Sequence, residues 1–138
     1  FRNKDEILDG LVARYTVERG EYWAERLAAV TPEVPLKALV AAFVDESVAF
    51  KSRSPAYWAL LYGSATGDRL AAASQRLHAA IAEQVAALLL RRSPGLDPDR
   101  ALLMGTMAVS MVKAVVPHHS PALTEELKAA LTGYLSNA

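Results

Sequence analysis

The chain has 138 residues, no cysteine, and equal numbers of basic and acidic side chains, 15 Lys plus Arg and 15 Asp plus Glu. This length fits one domain that buries about two thirds of its unfolded surface. Without cysteine, disulfides, thiolate nucleophiles and cysteine-ligated zinc are excluded, and a cytoplasmic location is expected. The balanced charge provides no basic field for a phosphate backbone, so we do not expect these residues to contact nucleic acid directly.

Hydrophobic residues make up 52% of the chain and glycine only 7 positions, a composition that favours helices over strands. We therefore predict an all-α fold. The longest uncharged runs, residues 54–67 and 101–112, are both shorter than the roughly 20 residues that span a bilayer, so no membrane partner is expected.

Proline and small polar residues divide the chain into about six helices. Asn3 is predicted to cap the first, with Glu6 at the reciprocal capping-box position. Asp97 and Ser120, each followed by proline, are predicted to cap the fifth and sixth. The predicted ranges, in chain order, are 3–30, 35–52, 54–63, 66–92, 97–116 and 120–136.

Arg91 and Arg92 end the predicted fourth helix. The pair could bind phosphate, but cations in the last turn of a helix also complement its dipole, and this second interpretation is favoured.

Polar residues interrupt two of the apolar helix faces, as a ligand pocket requires for orientation. Ser47 lies on the second-helix face between Phe43 and Phe50. Its hydroxyl is expected either to bond back to the Phe43 carbonyl or to make a polar contact in a cavity. On the fourth helix, Ser74 lies within the apolar stripe and His78 beside it, either as pocket residues or as an ordinary helix edge.

The predicted third helix places Trp58 and Tyr62 on one face, where aromatic rings with polar tips serve a pocket or a core equally well. Met107 on the fifth helix is flexible enough to adapt to ligands of varied shape. The predicted ligand-binding set is Phe43, Ser47, Phe50, Trp58, Tyr62, Ser74, His78 and Met107.

The fifth helix carries no charge from Ala101 to Val112, and a helix that is uncharged all round must be covered all round. We expect one face to pack on the core and another to meet a second copy of the chain. The sixth helix has its own apolar stripe, so the two helices and their symmetry mates would form a four-helix dimer interface. The alternative is complete burial within a monomer. The predicted interface residues are Met104, Ala108, Met111, Leu127, Leu131 and Tyr134.

Signals for catalysis and metal binding are weak. His118 and His119 are adjacent in a predicted loop, and neighbours in sequence rarely converge on one metal without further ligands. The sequence has no phosphate-binding glycine loop and no nucleophile elbow. We therefore expect neither enzymatic activity nor a cofactor.

The opening run, Phe1 to Tyr15, reads FRNKDEILDGLVARY. It resembles the point in tetracycline-repressor-like (TetR family) regulators where the DNA-recognition helix gives way to the next helix. This resemblance implies that residues 1–3 are the tail of a missing DNA-binding domain. Residues 1–138 would then be the effector-binding and dimerisation domain.

The resemblance further implies that the second to fifth helices enclose a small effector and that the last two dimerise. Operator DNA would be bound only through the missing domain, and effector binding would release it. The few inward-pointing charges favour an apolar or aromatic effector. The alternative function is a helical module without a cavity, which docks another protein through its uncharged fifth helix.

Overall fold

The computed structural model describes residues 4–56, 58, 68–118 and 120–138. Within these ranges the chain is all-α, as predicted, and forms five α-helices. A single 3₁₀ turn, Val116–His118, follows the fourth of them. The helices are α1 (Lys4–Ala28), α2 (Leu36–Arg53), α3 (Asp68–Arg92), α4 (Pro98–Val115) and α5 (Pro121–Leu135).

The predicted short aromatic helix at 54–63 lies mostly outside the described residues, as does the predicted cap Asn3. Its beginning is described: the Trp58 amide donates to the Ser54 carbonyl at 2.9 Å, which forms one helical turn.

Local capping sets the starts of α4 and α5. The Asp97 carboxylate accepts a hydrogen bond from the Arg100 amide at 3.2 Å, and the Ser120 hydroxyl accepts one from the Leu123 amide at 3.1 Å. Proline occupies the first position of each helix, where no amide hydrogen is needed. Both predicted caps are confirmed.

The long helix α1 continues through Gly10 and Gly20 without a break. Its 25 residues give a rod of about 37 Å at 1.5 Å per residue. This rod packs along α3, which in turn packs along α4, while α2 and α4 both pack on α5. The core lies where these helices meet, and its largest fully buried side chains are Val44, Leu77, Met104 and Leu131.

Two arginines at the end of α3 connect separate parts of this bundle. Arg91 donates to the Leu27 carbonyl at 2.7 Å, in the last turn of α1, where a helix carbonyl has no partner within its own helix. Arg92 donates to the Val34 carbonyl at 2.7 Å and the Pro32 carbonyl at 3.3 Å, in the connection before α2. These cations therefore hold α1 and its following loop against α3, a role that the sequence did not predict.

Candidate ligand cavity and exposed apolar face

A cavity of about 340 Å³ opens among α1, α2 and α3, with α4 and α5 closing its inner side. This volume is at the lower end of the range of small-molecule sites. Its lining consists of Trp23, Arg26, Leu27, Ala29, Val30, Leu36, Leu39, Val40, Ala42, Phe43, Val85, Leu88, Leu89, Arg92, Ala108, Leu131 and Leu135.

Helix periodicity accounts for the cavity wall. On α1, Trp23 and Leu27 are four residues apart and so share one face, and α2 presents Leu39 and Phe43 at the same spacing. The Trp23 and Phe43 rings lie 4.7 Å apart between centroids and are tilted by 51°, which forms an aromatic corner between α1 and α2. The cavity can therefore hold an apolar body against a rigid aromatic surface.

All but two of the lining residues are apolar, and the two exceptions, Arg26 and Arg92, are both cations. In the part of the chain that the structure describes, no carboxylate lines the cavity. The Arg26 guanidinium carbon lies 4.4 Å from the centroid of the Tyr22 ring.

Of the predicted ligand-binding residues on α2, only Phe43 lines this cavity. The Ser47 hydroxyl donates to the Phe43 carbonyl at 2.9 Å, which is the first of the two arrangements expected for it. Phe50 and Trp58 are buried against each other, with ring centroids 6.2 Å apart in an edge-to-face arrangement. Neither ring lines the cavity, and Tyr62 lies outside the described residues.

Ser74 and His78 lie on the part of α3 that precedes the cavity, with the Ser74 hydroxyl 3.4 Å from the His78 Nδ1 atom. Burial, together with the positive charge of Lys113, lowers the pKa of His78 to about 4. The imidazole is therefore neutral at neutral pH. Val85, the first cavity residue on α3, is two turns further along the helix.

A charged cluster that the sequence did not reveal connects α1 and α2. Arg19 is 7% exposed, with its guanidinium 3.8 Å from the centroid of the Phe50 ring and 3.8 Å from the Glu46 carboxylate. Burial opposes ionisation of Glu46, but hydrogen bonds from Arg53 and Tyr22 and nearby positive charges outweigh it and lower the pKa of Glu46. The Glu46 carboxylate thus stays ionised and pairs with Arg19 of α1 and Arg53 of α2.

The predicted dimer residues divide by burial. Met104, Ala108, Leu127 and Leu131 are in the core of the protomer, and Ala108 and Leu131 also line the cavity. Met111 and Tyr134 are half-buried. The large apolar side chains that are exposed on α4 and α5 are Leu102, Leu103, Met107 and Leu123.

Close packing against α3 explains which side of α4 is buried and which is exposed. Small residues, Gly105 and Ala108, point inward with Met104, and a Cβ atom at Gly105 would overlap the Ala82 carbonyl oxygen of α3. The backbones of α3 and α4 approach so closely there that this face belongs to the protomer. Leu103, at 66% exposed, and Met107, at 48%, lie on the opposite side.

Residues Pro98–His118 form a stretch that is long and apolar enough to cross a membrane, judged by length and composition alone. Since one face of α4 packs on α3, the same composition fits a core helix of a folded domain. Among the described residues, no group of three or more His, Asp or Glu side chains is placed to hold a metal ion.

The fold and the cavity define an all-α domain in which an apolar chamber lies beside a long first helix. The chain belongs to the family of tetracyclin repressor-like C-terminal domains, whose model matches residues 35–135. Membership of this family indicates, in general terms, a regulatory role that involves effector binding and dimerisation. No curated protein and no solved structure gave a significant match. The match begins at α2, so the opening run at 1–15 lies outside it.

Proposed function

We propose that this chain is the effector-binding and dimerisation part of a cytoplasmic transcriptional regulator of the repressor type. The observation that carries the proposal is the apolar cavity between α1, α2 and α3, which has the size and lining of a small-molecule site. The effector is a small molecule with an apolar or aromatic body. Residues 1–138 act as one domain, and operator DNA is bound through a DNA-binding domain that precedes α1.

The position of α1 supports a coupling mechanism. Trp23 and Leu27, in its last two turns, line the cavity, so a ligand that enters must contact this helix directly. Arg91 holds the same end of α1 through the Leu27 carbonyl. A rotation of the rod about this end displaces its far end at Lys4, which changes the spacing of two paired DNA-binding heads and weakens operator binding.

Dimerisation, in this proposal, uses the exposed apolar face of α4 and α5, defined by Leu102, Leu103, Met107 and Leu123. Two copies related by a two-fold axis bury this face against itself, and the helix pairs form a four-helix interface. The half-buried Met111 and Tyr134 are at its edge.

Ligand binding to the cavity is tested by thermal unfolding with decanol as an apolar probe. A ligand that binds only the folded state stabilises it by about 2.7 kcal/mol at a hundredfold excess over Kd. Leu88→Trp places a large ring in the cavity and should abolish the stabilisation, whereas Leu11→Trp makes the same change at an exposed position on α1, outside the cavity and the proposed dimer face, and should preserve it.

The alternative function is a helical docking module, which the exposed apolar residues of α4 also fit. It predicts that decanol does not stabilise the chain, or that decanol stabilises the Leu88→Trp and Leu11→Trp variants equally. Either result would contradict effector binding at the cavity.

A further inference from the structure

The charges at the cavity narrow the chemical class of its ligand, and this inference rests on the proposed function. Arg26 and Arg92 are the only charged groups among the described lining residues. Both are positive, and the rest of the wall is apolar. A cavity of this kind is complementary to a molecule with an apolar body and a single negative charge.

Arg26 is placed to bind that charge. It is exposed on the last turns of α1, at the mouth of the cavity, with its guanidinium stacked on the Tyr22 ring. Stacking occupies the face of the guanidinium and leaves its N–H edge able to donate to a carboxylate.

Two other arginines on the described part of the chain form ion pairs with carboxylates. Arg14 pairs with Glu18 at 3.0 Å, and Arg53 pairs with Glu46 at 2.9 Å. No described carboxylate lies within 4 Å of the Arg26 guanidinium, so its charge is not neutralised by an ion pair there.

Arg92 adds positive charge without competing for the ligand. Its guanidinium is held by the Val34 and Pro32 carbonyls, which are neutral acceptors and leave its charge in place. A cationic ligand would be repelled by both arginines. A ligand with several charges would carry some of them into the apolar interior, where an unpaired charge is costly.

We propose that the effector is an amphipathic organic acid whose apolar body fills the cavity and whose carboxylate is bound by Arg26 at its mouth. Trp23 and Phe43 contact the apolar body, and Arg92 contributes electrostatic attraction. The single negative charge sets the orientation of the ligand, because Arg26, unlike Arg92, is not held by backbone carbonyls and can donate to a carboxylate.

Isothermal titration calorimetry of the folded chain with three probes of equal chain length tests this inference: decanoate, decanol and decyltrimethylammonium. Decanoate and decanol should bind, and decyltrimethylammonium should bind more weakly than either. Arg26→Gln should reduce the ratio of decanoate to decanol affinity by about fivefold, as expected for a partly exposed ion pair. Arg26→Lys should restore part of that ratio.

Arg14→Gln is the matched control, because it removes the same charge from the same helix about 18 Å further along. It should leave both affinities unchanged. An unchanged affinity ratio in Arg26→Gln, or a cationic probe that binds as well as decanoate, would overturn the inference while decanol binding upholds the cavity as an effector site. Failure of all three probes to bind would overturn both proposals.

Discussion

Gly105 is a residue at which one methyl group decides the packing of two helices. A Cβ atom there would overlap the Ala82 carbonyl oxygen and would lie 3.3 Å from the Ala86 amide nitrogen. Both are backbone atoms, which cannot rotate away as a flexible side chain can. We expect Gly105→Ala to lower the free energy of unfolding by about 1–3 kcal/mol, as overpacking does, measured by urea denaturation.

Gly133→Ala is the control for this substitution. Gly133 is helical and has no atom within 4 Å of an added Cβ, so alanine should raise the free energy of unfolding by up to about 1 kcal/mol. Equal stability of Gly105→Ala and the unmodified chain would contradict the close approach of α3 and α4.

His78 makes stability depend on pH. Its pKa of about 4 in the folded chain is below its ordinary value of 6.5, because burial and the charge of Lys113 disfavour the imidazolium. Between these two pH values the unfolded chain binds the additional proton, so this contribution to stability is lost as pH falls from 6.5 towards 4. We expect a loss of about 2 kcal/mol by pH 5.

The measurement is the free energy of unfolding at pH 7 and pH 5. His78→Gln should show a smaller drop than the unmodified chain, whereas His118→Gln, at an exposed histidine, should show the same drop. If the His78→Gln variant loses as much stability as the unmodified chain, the histidine is not kept neutral by burial.

Residue roles were predictable where they depend on neighbours along one helix. The Ser47 hydroxyl bonds to Phe43 one turn earlier, one of the two arrangements that the sequence allowed. Arg19 shows the opposite case. Its partners Phe50 and Glu46 belong to another helix, so only the packing of α1 against α2 brings them together.

At the scale of the element, the starts of α4 and α5 could be predicted from their capping residues. The side chains of Asp97 and Ser120 accept hydrogen bonds from the amides three residues further along, and this spacing can be read from the sequence. The wall of the cavity on α2 also lies on the apolar face of this helix that periodicity predicts, since Leu36, Leu39 and Phe43 recur at helical spacing. The other walls, from α3 and α5, depend on the register between helices, which the sequence does not display.

The helix α4 shows why the phase of an uncharged helix is difficult to predict. Apolar residues surround it, so hydrophobicity alone does not say which side faces the core. Met104 and Met107 are chemically alike, yet one is fully buried and the other about half exposed. Gly105 and Ala108 give the missing signal, because small residues allow a neighbouring helix to approach closely.

At the scale of the molecule, composition and helix punctuation predicted the all-α fold, and family membership confirms the kind of domain. The position of the cavity was not predicted. The sequence indicated polar groups as its markers, Ser74 and His78 among them, whereas the observed cavity is marked by apolar residues and two arginines.

Pairing of two copies distinguishes a regulatory domain of this family from a module that docks a different protein. We expect sedimentation equilibrium to give twice the 14.9 kDa mass of one chain. Leu103→Glu combined with Met107→Glu places charges on the exposed face of α4 and should give a folded monomer, with helical circular dichroism retained. Val17→Glu, at an apolar residue that is 57% exposed on α1, should leave the dimer intact. A monomeric unmodified chain, or a dimer that persists in the double variant, would contradict the account.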